Sequence, residues 1–215
     1  MDMKVTIVYD NTIYKSGLQP DWGFSCLVET EERNILFDTG TKGAILLDNL
    51  NKLNIDPSII NDIFISHNHF DHTSGLSAFL HEHNDVNIYL PPSFRGVREG
   101  NEIFHVDKPM KMYENIYSTG ELDGIEQSMA VSTSKGLVLV VGCSHPKMEH
   151  ILNAAREFGV VYAIIGGLHG FKEYALFENL ELICPTHCTQ HIEEIKHLYP
   201  EKYVEGGAGR VIEIN

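Results

Sequence analysis

A six-residue stretch, His67-Asn68-His69-Phe70-Asp71-His72, constrains this chain more than any other feature. It places three imidazoles and one carboxylate directly after an apolar segment, residues 62–66, whose composition predicts a strand. Imidazole and carboxylate together suit Zn²⁺ and similar divalent ions. In a tight turn leaving a strand, His67 and His69 can converge on one ion, and Asp71 and His72 can reach a second. The alternative is a solvated loop, but surface loops rarely collect ligand residues this densely.

Two later histidines supply further ligands of the same kind. His145 ends the segment 140–145 and His187 lies in the segment 183–188, and each follows a short apolar run. We therefore expect both to project from the ends of strands, where a rigid sheet can preorganise a metal ligand. A lone histidine in such a place is more often structural, but three sites of one type favour a metal centre.

These motifs resemble those of the metallo-β-lactamase superfamily, in the right order and over nearly the whole chain. Residues 36–40, Leu-Phe-Asp-Thr-Gly, resemble its early aspartate motif, and the histidine cluster resembles its central signature. Residues 142–146, 165–169 and 185–189 also resemble the branch named after dihydropterin–ribofuranosylaminobenzene phosphate synthase. That branch implies condensation of a pterin diphosphate with an arylamine phosphate, as in methanopterin biosynthesis.

The resemblance also implies which residues bind metal. Six residues match the ligands of two metal ions: His67, His69 and His145 for the first, and Asp71, His72 and His187 for the second. Asp38 resembles an aspartate that supports this cluster without binding the ion, and it can accept a hydrogen bond that fixes the tautomer of a histidine ligand. Zn²⁺ is the expected cofactor, with two ions or one bound, and Mn, Fe and Mg remain alternatives.

One position departs from the superfamily pattern. Most dinuclear members carry a bridging aspartate at the end of the strand after the third ligand motif. Here that segment, residues 164–169, contains no carboxylate, and His169 is the nearest candidate for the position. His169 is expected either to bind a metal or to act on the substrate as acid, base or phosphate donor, and the alternative is a structural histidine. Asp71 and His169 are therefore the candidate catalytic residues.

The order of elements predicts an α/β (α+β) fold, with strands and helices alternating in each half and hairpins mixed in. Two mixed sheets packed face to face with helices outside fit this order, and the resemblance implies the four-layer αβ/βα sandwich. A chain of 215 residues fits one domain, residues 1–215, with an irregular insertion at about 91–112. In that insertion Arg95 and Arg98 are candidates to bind substrate phosphate. Their alternative role is solvated surface charge.

Composition and charge limit the cellular location and the kinds of binding partner that we expect. The formal net charge of −14 argues against a nucleic-acid-binding face, which needs clustered Lys and Arg. The start of the chain lacks a signal-peptide pattern and no apolar run could span a bilayer, so we expect a cytoplasmic protein without a membrane partner.

The four cysteines form no Cys-x-x-Cys pair, which fits a reduced setting. Cys143 and Cys184 are expected to be buried free thiols. Cys143 and Cys188 lie beside candidate ligands, where they either pack as small buried residues or bind metal directly.

Three functions remain open from the sequence. The first is hydrolysis of an ester, thioester or phosphodiester by water activated at a metal. The second is the dihydropterin-type transfer, in which the metals hold diphosphate. The third is a non-catalytic protein that binds or senses a small ligand. In each case the expected partner is a small molecule, with a phosphorylated one favoured.

Overall fold

The computed structural model describes residues 2–215, which form two β-sheets flanked by helices. The first sheet contains seven strands: β1 (Met3–Tyr9), β2 (Ser25–Thr30), β3 (Asn34–Phe37), β4 (Asp62–Phe64), β5 (Asn87–Leu90), β6 (Ile103–His105) and β13 (Val211–Ile214). The second contains six: β7 (Met110–Lys111), β8 (Ile116–Ser118), β9 (Met129–Thr133), β10 (Gly136–Val141), β11 (Val161–Gly167) and β12 (Leu182–Thr186).

Each sheet is antiparallel on one side and parallel on the other. The first runs in the order β13-β1-β2-β3-β4-β5-β6, antiparallel from β13 to β3 and parallel from β3 to β6. The second runs in the order β12-β11-β10-β9-β8-β7, parallel from β12 to β10 and antiparallel beyond. Because the carboxyl ends of parallel strands lie at one edge of a sheet, the loops after β3 and β4, and those after β10, β11 and β12, are gathered in space.

Within residues 2–215 there are five α-helices: α1 (Gly43–Lys52), α2 (Phe70–Thr73), α3 (Leu76–Glu82), α4 (Met148–Arg156) and α5 (Ile192–Leu198). Two 3₁₀ helices span Pro57–Ile59 and Tyr174–Phe177. Asp56 caps the first of these by accepting a hydrogen bond from the Ser58 backbone N–H at 2.9 Å. The fixed φ of Pro57 suits the first position of this helix.

Three apolar clusters show how the layers stack. The cluster between the sheets holds Phe64 of β4 with Val138 and Val140 of β10. The alternate residues of β10, Leu137 and Leu139, face away from it into a cluster on the outer side of the second sheet, because neighbouring side chains of a strand point to opposite faces. Helices α1 and α3 cover the first sheet, and α4 and α5 cover the second. The predicted four-layer αβ/βα sandwich is confirmed, and the single-domain assignment stays a prediction.

Two local features differ from the sequence prediction. The segment 91–112 is not wholly irregular, since β6 pairs in parallel with β5 and β7 pairs with β8. These strands have three and two residues, too few to show a hydrophobic period. The histidine cluster is also more than a turn, because residues Phe70–Thr73 form the short helix α2. That helix turns Asp71 and His72 inward and leaves Phe70 exposed.

Candidate metal centre

The loops after β4, β10 and β12 bring the six predicted ligands together in two groups of three. In each group the ligand atoms all lie within 4.8 Å of one another. We call His67, His69 and His145 the outer triad, and Asp71, His72 and His187 the inner triad. The triads thus join both sheets, since His67 and Asp71 follow β4 of the first sheet, and His145 and His187 follow strands of the second.

The outer triad is open to solvent on one side. His67 is fully buried, His145 is half-buried and His69 is exposed. The His67 Nε2 and His69 Nδ1 atoms are 3.0 Å apart. The His145 ring lies 4.8 Å from the His67 ring and 4.7 Å from the His69 ring, centroid to centroid. Three ring nitrogens therefore converge on one point at the protein surface.

The inner triad is buried. The Asp71 Oδ2 atom lies 3.2 Å from His187 Nε2 and 3.9 Å from His72 Nε2. The side chains of both histidines are inaccessible to solvent, and Asp71 retains only 7% exposure. The Asp71 carboxylate and the two ring nitrogens thus face one another inside the protein.

Asp38 links the two triads through hydrogen bonds. Its Oδ2 accepts hydrogen bonds from His72 Nδ1 and from the Ser66 hydroxyl, each at 2.7 Å. The Ser66 oxygen in turn lies 2.9 Å from His67 Nδ1. This chain places protons on the Nδ1 atoms of His67 and His72 and leaves their Nε2 lone pairs for a ligand. Asp38 has a positive φ of 54°, a strained conformation that a functional position can retain.

Three residues that sequence reasoning missed hold the inner triad. The Trp22 indole N–H donates to Asp71 Oδ2 at 2.8 Å. The His187 Nδ1 pairs with Asn11 Oδ1 at 2.9 Å, and the His187 backbone N–H donates to Asp10 at 2.8 Å. Burial raises the pKa of Asp10 to about 6. No local motif marks these residues, because the partners are distant in the chain.

A fourth missed residue, Glu126, holds the loop that carries His145. Its Oε1 accepts backbone N–H groups from residues 142, 143 and 144, and its Oε2 accepts that of His145, at 2.9 to 3.0 Å. Glu126 is buried, and burial raises its pKa to about 7. The carboxyl group thus fixes the loop through four hydrogen bonds.

The electrostatics of the cluster fit metal ligands. Burial lowers the pKa values of His67 and His72, and burial together with nearby imidazoles lowers that of His145 to about 4. These rings are therefore neutral at pH 7 and can donate lone pairs. Burial opposes ionisation of Asp71, but the neighbouring imidazoles of His187 and His72 outweigh it and lower its pKa.

Two buried ring nitrogens support the same conclusion. His145 Nε2 and His187 Nε2 have no hydrogen-bond partner. Leaving a buried polar atom unpaired costs roughly 1–3 kcal/mol, which a bound ion would offset. The donor set of five imidazoles and one carboxylate therefore fits a pair of divalent transition ions.

His169 lies beside the outer triad but belongs to neither triad. It follows β11, and its ring is 5.2 Å from that of His145, centroid to centroid. It is exposed, and its φ of 46° is in the left-handed region. The preceding Gly166 has a φ of 132° and packs so closely on Val141 that a Cβ atom would lie 2.0 Å from the Val141 carbonyl oxygen. The His169 imidazole thus lies beside the exposed side of the outer triad.

The predicted phosphate-binding arginines lie in a different cleft from the triads. Arg95 and Arg98 line a cleft of about 530 Å³ with residues of α3, and none of the six predicted ligands lines it. His145 and His169 instead share a cleft of about 370 Å³ with Lys147 and Lys172. The basic residues that accompany the candidate site are thus lysines that the sequence did not single out.

All four cysteines are buried free thiols, which confirms the prediction for Cys143 and Cys184. None of the helices within residues 2–215 has the length and apolar character that a membrane span requires.

Comparison with known proteins agrees with the geometry of this site. Residues 20–102 match the family model described as the metallo-beta-lactamase superfamily. The chain also superimposes on the crystal structure of a metal-dependent hydrolase of the beta-lactamase superfamily with a TM-score of 0.77, covering 99% of both chains at 23% identity. The chain thus has the metallo-β-lactamase fold, and residues 20–102 match the model of that superfamily.

The chain is also similar to a named enzyme. It is 28% identical, over 96% of this chain and 95% of the relative, to the 7,8-dihydropterin-6-methyl-4-(beta-D-ribofuranosyl)-aminobenzene-5'-phosphate synthase of Methanocaldococcus jannaschii. The match to the superfamily model and this similarity support an enzyme activity in general. The short form of human tRNase Z also shares the fold, with a TM-score of 0.67, 17% identity and full coverage of both chains. The absence of a nucleic-acid partner therefore stays a prediction.

Proposed function

We propose that this protein is a metal-dependent enzyme that displaces a phosphate-bearing leaving group from a small molecule. The outer and inner triads would each hold one divalent ion, with Zn²⁺ as the expected metal. The cleft shared by His145, His169, Lys147 and Lys172 is the observation that carries this proposal. It joins a metal ligand to two cationic side chains and a free imidazole, which is a combination suited to an anionic substrate.

The bound ions would act as Lewis acids and offset the negative charge of the substrate phosphate. Lys147 and Lys172 are both exposed, and they would bind phosphate oxygens at the mouth of the cleft. His169 would donate a proton or a hydrogen bond to the departing oxygen. Asp71 would bind the inner ion and orient the attacking nucleophile, because Trp22 fixes its carboxylate.

Transfer to an arylamine is the favoured form of this reaction. The similarity to the named synthase extends over nearly the full length of both chains. Hydrolysis is the second candidate, because His69 is exposed and water can reach the outer triad. The two forms share one site and differ only in the nucleophile.

Product analysis separates these forms. The protein would be loaded anaerobically with Zn²⁺, Mn²⁺ or Fe²⁺ and its metal content measured. It would then be given phosphodiesters, or a pterin diphosphate with an arylamine, with thioesters and lactams as substrates that lack a phosphate leaving group. A condensed pterin–arylamine product supports transfer, an alcohol together with a phosphate product supports hydrolysis, and cleavage of only the thioester or lactam contradicts a phosphate-bearing leaving group. Metal and ligand binding without turnover would replace the enzyme assignment with a sensing role.

A matched pair of variants tests the assigned cleft. Lys147→Ala with Lys172→Ala should raise KM for a phosphorylated substrate roughly 10-fold or more, since hydrogen bonds to charged groups are worth about 1.5–3 kcal/mol. Arg95→Ala with Arg98→Ala is the control and should leave KM unchanged. The opposite result would move phosphate binding to the arginine cleft.

A further inference from the structure

Cys143 lies between the two triads. Its Sγ atom is 3.2 Å from His72 Nε2 of the inner triad. It also lies within 4.8 Å of the ligand atoms of His67 and His72 in one group, and of those of His187 and Cys188 in another. Of the residues outside the triads, only Cys143 forms such a group with His67 of the outer triad within residues 2–215.

The backbone holds this sulfur in place. Glu126 accepts the Cys143 backbone N–H at 2.9 Å and those of the residues on either side at 3.0 Å. The Ser144 hydroxyl also donates to the Gly167 carbonyl at 2.7 Å, which ties this loop to the end of β11. Cys143 is 4% exposed. A buried, immobilised donor is the kind of group that a preorganised metal site requires.

The end of β11 offers no room for another ligand. A Cβ atom on Gly167 would lie 2.4 Å from the Gly142 carbonyl oxygen and 2.8 Å from Cys188 Sγ. A side chain cannot grow from this position without displacing the Cys143 loop and the neighbouring thiol. Asp71 is the only carboxylate among the candidate metal groups within residues 2–215. The end of β11 therefore supplies no carboxylate between the triads, whereas the Cys143 sulfur lies beside ligand atoms of both.

We propose that the Cys143 thiolate is a seventh ligand, shared between the ions of the outer and inner triads. On metal binding the S–H bond breaks, its proton passes to solvent, and the sulfur lone pairs bind the ions. The negative charge of the shared thiolate lowers the mutual repulsion of the two cations. A soft sulfur donor also favours Zn²⁺ over Mg²⁺ in this centre. This inference deepens the proposed metal site and rests on it.

Cobalt substitution tests the proposal without relying on activity. The protein as purified would be stripped of metal, loaded with Co²⁺ and examined by absorption spectroscopy, with bound cobalt measured by elemental analysis. The wild type should bind two ions and show a near-ultraviolet sulfur-to-cobalt charge-transfer band. Cys143→Ser should lose that band, and Cys26→Ser, which changes another fully buried free thiol, should keep it.

A carboxylate variant separates loss of a ligand from loss of folding. Cys143→Asp should lack the sulfur band yet still bind two Co²⁺ ions, because a carboxylate can also bridge. Two bound ions without a sulfur band in the wild type would overturn the thiolate ligand and leave the two triads standing. A band that persists in Cys143→Ser and disappears in Cys188→Ser would overturn it too. Failure of the wild type to bind Co²⁺ would reject the proposed metal site itself.

Discussion

The outer and inner triads use similar ligands, but the protein holds them in different ways. Every member of the inner triad has a partner of its own: Trp22 for Asp71, Asp38 for His72 and Asn11 for His187. In the outer triad only His67 is held in this way, through Ser66. The His69 ring has no side-chain hydrogen bond within residues 2–215 except to His67, and it is exposed.

This difference indicates a division of roles between the triads. Partners that fix ring orientation raise metal affinity, so the inner triad would hold the proposed ion more firmly than the outer triad would. The outer triad opens onto the cleft that contains His169 and the two lysines. We therefore expect the inner ion to be the more tightly held and the outer ion to face the substrate.

Removing two outer ligands should have the largest effect. In His67→Ala with His69→Ala the outer ion should be lost and activity should fall to background, because two of the three imidazoles of the outer triad are removed. The inner ion should remain, so bound metal should drop from two ions to one in elemental analysis. Asp71→Ala with His187→Ala is the matched variant and should lose the inner ion. Unchanged metal content in the outer variant would refute the assignment of the triads.

Replacing His169 should reduce turnover without removing metal. His169→Ala should lower kcat roughly 10²-fold, which is typical of losing a general acid–base group. Its exposed side chain packs little, so the melting temperature should change only slightly. Metal content should stay at the wild-type level, since His169 lies outside both triads. Wild-type kinetics in this variant would make His169 a structural residue.

Asp38 offers a way to weaken both triads at once. Asp38→Asn keeps the shape of the side chain but removes the charge that holds the Nδ1 protons of His67, through Ser66, and of His72. We expect metal affinity to fall roughly 10- to 100-fold at both positions, as measured by competition with a chelating dye. A loss confined to one ion would show that Asp38 does not couple the triads.

Trp22 offers the contrasting, one-sided change. Trp22→Phe removes the indole N–H that donates to Asp71 and leaves the ring in place. The inner ion should bind roughly 10-fold more weakly, since a hydrogen bond to a charged group is worth about 1.5–3 kcal/mol. The affinity of the outer ion should not change, and an equal loss at both positions would contradict separate support for the triads.

The ligands could be predicted from the sequence, but most of their supports could not. His67, His145 and His187 each end a recognisable apolar run, so their place at strand ends is a local property. Asn11 lies 176 positions before His187, and Trp22 lies 49 before Asp71, so only tertiary folding brings these pairs together. The hydrogen bonds of Glu126 to the His145 loop depend on the folded chain in the same way.

The two lysines in the cleft beside His145 and His169 could not be predicted from the sequence either. Arg95 and Arg98 stood out in the sequence because they are close together in a segment with little pattern. Lys147 and Lys172 lie 25 positions apart and meet only because the loops after β10 and β11 follow neighbouring parallel strands. Strand order therefore determines which residues share this cleft, and the composition of the chain does not reveal strand order.

Lowering the pH should release the ions of the two triads at different pH values, which is a smaller effect than those of the substitutions above. The pKa of His145 is lowered to about 4, chiefly by burial, and that of fully buried His72 is lowered well below its usual value. A neutral ring is needed to bind metal, so the outer ion should be released first as pH falls towards 4.

In the metal-free protein the lowered pKa values of His145 and His72 stabilise the fold above the unfolded pKa of histidine, about 6.5. That stability is lost as pH falls from about 6.5 towards the folded pKa values, because the unfolded chain takes up protons first. Each fully buried histidine should lower the free energy of unfolding by about 1.4 kcal/mol for each pH unit below 6. Urea titrations between pH 7 and pH 4.5 would measure this slope, and His72→Gln should lower it. The same pH slope in His72→Gln as in the wild type would contradict a neutral, buried imidazole at His72, because the raised pKa values of Asp10 and Glu126 oppose the histidine slope equally in both proteins.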